Sequence, residues 1–191
     1  MRIDFEEDIK QCITVLRNGG TILYPTDTIW GIGCDATNEK AVRRIFEIKQ
    51  RADSKSLILL ADSAARISAY VEEIPEIAYD LIEIADKPLT IIYPDARNLA
   101  ESTVAADNSV GFRVPKDDFC QKLCATFGKP IVSTSANISG ENSPACFAEV
   151  SENIIKSVDY VVQFRQSDKA PYVPSSIIKL NKNAEFQIIR K

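Results

Sequence analysis

The sequence contains no histidine. This absence excludes Ser-His-Asp hydrolases, Cys-His proteases and HExxH metalloproteases, because each needs an imidazole as a base or as a metal ligand. It also excludes a mixed Cys/His zinc site, and the five cysteines form no CxxC pair. If the protein is an enzyme, it must work with carboxylates, hydroxyls, cations, backbone amides or a metal bound by oxygen.

Long apolar runs are missing as well. No stretch reaches the roughly 18 consecutive apolar residues that a transmembrane helix requires. The acidic start, MRIDFEEDIK, lacks the basic and apolar regions of a signal peptide. At 191 residues, with 45% hydrophobic and 26% charged residues, the composition is that of an ordinary globular protein. We expect a cytoplasmic protein that does not associate with membranes and folds as a single domain over residues 1–191.

Strand and helix patterns alternate along the whole chain. SLILLA (56–61) and LTIIY (89–93) are apolar runs typical of buried strands. Asn38 is a candidate helix cap, and Pro115 is expected to start another helix. TDTIWGIGCDA (26–36) is expected to be a glycine-bearing loop. The alternation predicts an α/β fold (α+β mixed), in which helices flank a mixed β-sheet.

Positive charge is concentrated in one part of an acidic chain. The net charge is −4, yet residues 40–55 hold six cations and only two carboxylates. Lys49, Arg51 and Lys55 occupy alternate positions, so an extended backbone would point all three the same way. A polyphosphate would neutralise these three positive charges, with the arginine binding two oxygens and the lysines acting as point charges. A solvated loop explains the same pattern, so spacing alone leaves both interpretations open.

Two further stretches carry candidate binding groups. STSANISG (133–140) is rich in hydroxyls and small residues, which suits either a capped turn or a phosphate and ribose cradle. It is not a Walker loop, because GxxxxGK[ST] occurs nowhere in the sequence. Arg113 lies between Phe112 and Val114 on a predicted strand, where a partly buried guanidinium needs a carboxylate or phosphate partner. That partner could be a ligand or a side chain of the protein.

Four motifs in order resemble one known family. YPTDTIWGIGCDA, IKQRADSKSLILLA, SVGFRVP and PIVSTSANISG are similar to the motifs of the YrdC/Sua5 family of threonylcarbamoyl-AMP synthases. The resemblance spans roughly residues 10–190 and is nearest to the short, single-domain YrdC type. It implies a twisted, open sheet with a large concave basic cavity.

The resemblance also implies a reaction. The family, a class of nucleotidyltransferases, condenses L-threonine, bicarbonate or CO2, and ATP into threonylcarbamoyl-AMP and pyrophosphate. The product serves the t6A modification of tRNA at position 37, through a downstream tRNA threonylcarbamoyl-transferase complex. Magnesium would enter with the ATP phosphates, and no protein metal ligand is assigned. The alternatives are a non-catalytic RNA-binding module, with weak affinity for tRNA, and a nucleotide-binding regulator of the same fold.

Site residues follow from the same resemblance. The residues that would act in catalysis and bind the ATP phosphates are Lys49, Arg51 and Lys55. The remaining ATP-binding positions are Ser109, Ser133, Ser135, Asn137, Ser143 and Arg190. The threonine-binding positions are Thr28, Arg113 and Ser176.

Overall fold

The computed structural model describes residues 5–50, 57–168, 174–181 and 185–191. The helices are α1 (Glu6–Arg17), α2 (Glu39–Ile48), α3 (Ala64–Ile67), α4 (Glu76–Ile84), α5 (Asp118–Phe127) and α6 (Glu152–Ser157), with short 3-10 turns at Glu101–Thr103 and Phe147–Glu149. The strands are β1 (Ile22–Tyr24), β2 (Gly31–Gly33), β3 (Ile58–Leu60), β4 (Leu89–Tyr93), β5 (Val110–Arg113), β6 (Ile131–Ser135), β7 (Tyr160–Val161), β8 (Ser176–Leu180) and β9 (Phe186–Arg190).

The nine strands form one sheet in the order β7-β1-β2-β6-β3-β5-β4-β8-β9. Three strand pairs are parallel (β1 with β7, β3 with β5 and β4 with β8), and the others are antiparallel. The sheet is therefore mixed and carries flanking helices, as the sequence predicts. The stretch 26–36 departs from the expectation of a loop, because it contains β2.

Capping residues explain where two of the helices begin and end. The Asn38 side chain accepts hydrogen bonds from the backbone N–H groups of Lys40 and Ala41, which confirms it as the N-cap of α2. The carboxylate of Asp117 caps α5 in the same way. That helix starts at Asp118 rather than at Pro115 because the capping residue lies between them. Gly128 ends α5 with a φ of +78°, a conformation that favours glycine.

The central strands place polar residues on one side of the sheet. Ile58 of β3 pairs with Gly111 on one side and with Ser133 on the other. Arg113 lies two residues after Gly111 on β5, so it points to the same face as Ser133. Thr90 of β4 pairs with Arg113 and shares that face. The register alone thus brings an arginine and a row of hydroxyls together.

The opposite side of these strands belongs to the apolar core, which includes Leu59, Phe112 and Val132. Trp30 is almost fully buried and packs against Phe147, with ring centroids 4.8 Å apart. Within the described ranges, no helix is long and apolar enough to cross a membrane.

Candidate active site

A cavity of about 250 Å³ opens on the polar face of the sheet. It is bounded by the ends of β2, β5 and β6 and by the residues that precede β8. Six of the twelve predicted site residues line it, namely Thr28, Arg113, Ser133, Ser135, Ser143 and Arg190. The structure therefore brings predicted threonine-binding and predicted ATP-binding positions into one space.

Arg113 forms a buried wall of the cavity at the end of β5. Its side chain is 4% exposed, and Nη2 lies 3.2 Å from Oδ1 of Asp27, whose side chain is 9% exposed. Burial raises the pKa of the Asp27 carboxyl, and the guanidinium of Arg113 opposes that rise. Nε and Nη2 of Arg113 have no hydrogen-bond partner within the described part of the chain. The ion pair therefore offsets the charge of Arg113, and the hydrogen-bonding capacity of its Nε and Nη2 is not filled by the described residues.

Ser175 lies near Arg113, whereas the sequence analysis predicted the next residue, Ser176, as a threonine-binding position. It is 1% exposed, and its Oγ lies 2.8 Å from Oγ1 of Thr90, which pairs with Arg113. Ser176 instead pairs with Leu89 and so faces the helix-covered side of the sheet. The cavity lining includes Ser175 but not Ser176. A role for Ser176 in threonine binding stays a prediction, whereas the geometry favours Ser175.

Arg190 reaches the cavity from the edge strand β9. Its Nε and Nη2 donate hydrogen bonds to the backbone oxygen of Ser175, at 2.9 and 2.7 Å. Desolvation, followed by repulsion from Arg113, lowers the pKa of the Arg190 guanidinium. Two guanidinium groups that repel each other across a cavity favour an anion between them.

Residues of β6 and of the loop after it form the hydroxyl-rich wall of the cavity. Ser133 and Ser135 lie on this strand and Ser143 on the loop after it, and all three line the cavity. Gly31 pairs with Ser135 across β2 and β6. A Cβ at Gly31 would lie 3.3 Å from the Thr134 carbonyl oxygen and 3.5 Å from the Ser133 Oγ. The glycine therefore keeps this wall open.

Lys49 adjoins this wall but does not line the cavity. Its side chain is buried, and its Nζ donates hydrogen bonds to the carbonyl oxygens of Ser135, at 2.6 Å, and Asn137, at 2.8 Å. Asn137 is also outside the cavity lining. Its Nδ2 donates to the carbonyl oxygens of Ile138 and Glu141, whereas its Oδ1 is buried without a hydrogen-bond partner in the described residues.

Three other predicted residues are not placed at the cavity. Arg51 and Lys55 lie outside the described residues, so the strongly basic character expected of the cavity stays a prediction. Ser109 is described, but it precedes β5 at the end opposite Arg113, and its Oγ donates to Asp107 at 2.6 Å. The proposed contact between Ser109 and ATP also stays a prediction.

Two of the three cations of α2 form ion pairs within the helix. Arg43 pairs with Glu39 at 2.8 Å, and Arg44 pairs with Glu47 at 3.0 Å, in both cases within the helix. Counting Glu39 with residues 40–55 lowers the local excess of positive charge that an RNA backbone would meet from +4 to +3.

Comparisons with known proteins point to one family. The family model Sua5/YciO/YrdC, described as "Telomere recombination", matches residues 14–191. A protein named threonylcarbamoyl-AMP synthase from Pseudoalteromonas translucida is 36% identical over 160 residues, covering 82% of this chain and 86% of the relative. A protein of the same name from Vibrio cholerae is 36% identical over 176 residues, covering 90% of this chain and 92% of the relative.

Solved structures lead to the same family. A double variant of P. abyssi Sua5 superposes with a TM-score of 0.87 at 30% identity, over 99% of this chain and 57% of that one. P. abyssi Sua5 complexed with L-threonine gives a TM-score of 0.83 at 29% identity, over 94% of this chain and 52% of that one. The chain thus spans little more than half the length of these Sua5 proteins. By sequence and by fold, it belongs to the Sua5/YciO/YrdC family.

Proposed function

We propose that this chain is a threonylcarbamoyl-AMP synthase, which joins L-threonine, bicarbonate or CO2, and ATP, and releases pyrophosphate. The observation that carries the proposal is a single cavity with two chemically different walls. One wall holds the buried Arg113, which suits an amino-acid carboxylate, and the other holds the hydroxyls of β6 and of the loop after it. Two relatives that cover most of this chain are named for this activity.

Arg113 would bind the threonine carboxylate, because a guanidinium presents paired donors that match two carboxylate oxygens. Asp27 offsets the positive charge of Arg113, so this end of the cavity suits the single carboxylate of an amino acid. Ser175 and Thr28 line the cavity beside Arg113 and offer hydroxyls to the rest of the amino acid. A crystal structure of the relative P. abyssi Sua5 complexed with L-threonine supports threonine as a substrate.

The chemistry proceeds in two steps. The neutral amine of threonine attacks the carbon of CO2 with loss of a proton to solvent, or that of bicarbonate with loss of water, and forms a carbamate. A carbamate oxygen then attacks the α-phosphorus of ATP, and the bond to the β-phosphate breaks to release pyrophosphate. Such a displacement depends on positioning and charge neutralisation rather than on an imidazole base. A sequence without histidine is compatible with this nucleotidyltransferase reaction.

The nucleotide would lie along the wall formed by Ser133, Ser135 and Ser143, with Arg51 and Lys55 as the expected phosphate ligands. A magnesium ion would fit this wall, because its donors are hydroxyl oxygens, and the unpartnered Oδ1 of Asn137 lies outside the cavity lining, two residues after Ser135. When bound, the ion would neutralise charge on the phosphates. Within the described residues no group of three or more His, Cys, Asp or Glu could hold a metal, so phosphate oxygens and water would supply its other ligands.

We place the reaction upstream of the t6A modification of tRNA, in the cytoplasm, with a tRNA threonylcarbamoyl-transferase as the consumer of the product. To test the proposal, the purified protein is mixed with ATP, L-threonine, bicarbonate and magnesium. Mass spectrometry should find threonylcarbamoyl-AMP, and omission of threonine or bicarbonate should abolish it. ATP binding without product would instead favour a nucleotide-binding regulator. Salt-sensitive RNA binding without turnover would favour an RNA-binding module.

A further inference from the structure

Lys49 differs from the other described lysines in its burial. It caps the C-terminal end of α2, and its side chain is 3% exposed. Within the described ranges it is the only lysine that is buried. A lysine that binds phosphate from solvent would normally keep its ammonium accessible, because desolvation of a point charge is costly.

The ammonium of Lys49 is bonded to the main chain of the loop that begins at the end of β6. Nζ donates to the carbonyl oxygens of Ser135 and Asn137 at 2.6 and 2.8 Å. In the reverse direction, the backbone N–H of Ser139 donates to the carbonyl oxygen of Lys49 at 2.9 Å. Residues 135–139 are therefore fastened to the end of α2 by three hydrogen bonds.

These contacts have two consequences for the nucleotide wall. Carbonyl oxygens at a strand end repel phosphates, and the positive charge of Lys49 covers two of them. The contacts also fix the backbone that carries the Asn137 carboxamide, whose Nδ2 is already committed to Ile138 and Glu141. The Asn137 acceptor oxygen is thereby left for a cation or a donor.

We propose that Lys49 is a positioning residue, which holds the Ser135–Asn137 loop in place and does not bind the ATP phosphates itself. The proposal deepens the proposed function and rests on it for the identity of the nucleotide. The bonds between Lys49 and the loop are properties of the free protein, so they can be tested whether or not ATP is the ligand.

The first test uses the free protein. Lys49→Met removes the ammonium at nearly constant length, and Lys40→Met makes the same change at an exposed position of α2. Hydrogen exchange of peptides covering 135–141 should accelerate about tenfold or more in Lys49→Met and should stay unchanged in Lys40→Met, since each lost contact opens this loop locally. Unchanged exchange in Lys49→Met would overturn the proposal, whatever the protein binds.

The second test is a double-mutant cycle on the dissociation constant for magnesium ATP, measured by calorimetry. Lys49→Met should weaken ATP binding about tenfold or more in the native background, and about threefold or less when Asn137→Ala is already present, because Lys49 acts through the loop. Equal losses in both backgrounds would identify Lys49 as a direct phosphate ligand and overturn the proposal. If the native protein binds no ATP, the proposed function fails and the exchange result alone decides the role of Lys49.

Lys49→Gln provides a conservative variant, because its amide keeps two N–H donors for the carbonyls without the charge. It should recover a large part of the ATP affinity lost in Lys49→Met, whereas a phosphate ligand would be equally impaired by both substitutions. If Lys49→Met fails to fold, Lys49→Gln replaces it in both tests. Failure of both to fold would contradict a role confined to this loop.

Discussion

The buried pair of Arg113 and Asp27 allows substrate binding and stability to be separated by substitution. Arg113→Gln removes the guanidinium and leaves the Asp27 carboxylate, which is 9% exposed, without its charge partner. Breaking a buried ion pair from one side costs about 3–5 kcal/mol. The double variant Asp27→Asn/Arg113→Gln replaces both charges with neutral amides and should regain at least about 2 kcal/mol of that loss, because no buried charge is left unpaired.

Threonine binding should not recover with stability. A hydrogen bond to a charged group is worth about 1.5–3 kcal/mol, and each 1.4 kcal/mol is a factor of about ten, so the KM for threonine should rise about 10- to 150-fold in both variants. The KM for ATP should change little. Stability is measured by urea denaturation, and kinetics by pyrophosphate release. An unchanged KM for threonine in the double variant would refute the assignment of Arg113, and full stability of Arg113→Gln would refute the energetic role of the pair.

The pH dependence of Arg113→Gln gives a check on the same reasoning. Burial already raises the pKa of Asp27, and loss of Arg113 removes the main opposing influence. A raised pKa in the folded state means that stability is greatest below the unfolded pKa and falls as the pH rises through the folded value. The stability deficit of Arg113→Gln should therefore be smaller near pH 5 than near pH 8, while the double variant should show no such trend.

The remaining predictions concern single residues. Ser175→Ala should raise the KM for threonine about 2- to 10-fold, from the loss of a neutral hydrogen bond of about 0.5–1.5 kcal/mol, whereas Ser176→Ala should change it less than about twofold by steady-state kinetics. Gly128→Ala should cost about 1–2 kcal/mol in urea denaturation, because φ is +78°, and should leave kinetics unchanged. Hydrogen bonds from Lys179 and then Ser109 lower the pKa of Asp107 to about 2. Asp107→Asn should thus lose at most about 1 kcal/mol at pH 7, since the half-exposed pair is screened, and this difference should shrink as the pH falls from about 4 towards 2.

Much of the fold could be predicted from local sequence patterns. LTIIY predicts β4 at the residues where it occurs, and Asn38 caps α2 as its side chain and position indicate. Family membership and the mixed α/β sheet are likewise confirmed by the comparisons. The strand β2 was missed because its three residues, Gly31 to Gly33, carry little β-propensity. They are held in the sheet by pairing with β1 and β6, which local pattern does not reveal.

The site could be predicted only in part, because sheet register decides which side chains face the cavity. Arg113 was identified from its position between two apolar residues. Its ion-pair partner, Asp27, lies 86 residues away in the sequence, and no local pattern indicates that the two residues are in contact. Ser175 and Ser176 are adjacent, so their side chains point to opposite faces of the sheet, and only the strand register shows which of them faces the cavity. The contacts of Lys49 with two main-chain carbonyls leave no trace in sequence spacing.

The central claim is that one cavity joins threonine, a one-carbon unit and the adenylyl group of ATP. The most direct test supplies carbon-13 bicarbonate with L-threonine, ATP and magnesium, and follows product mass and pyrophosphate together. We expect threonylcarbamoyl-AMP that carries the label in its carbamoyl carbon, formed in equal amount with pyrophosphate. Hydrolysis of ATP without a labelled adenylate, or an adenylate that forms without threonine, would contradict it.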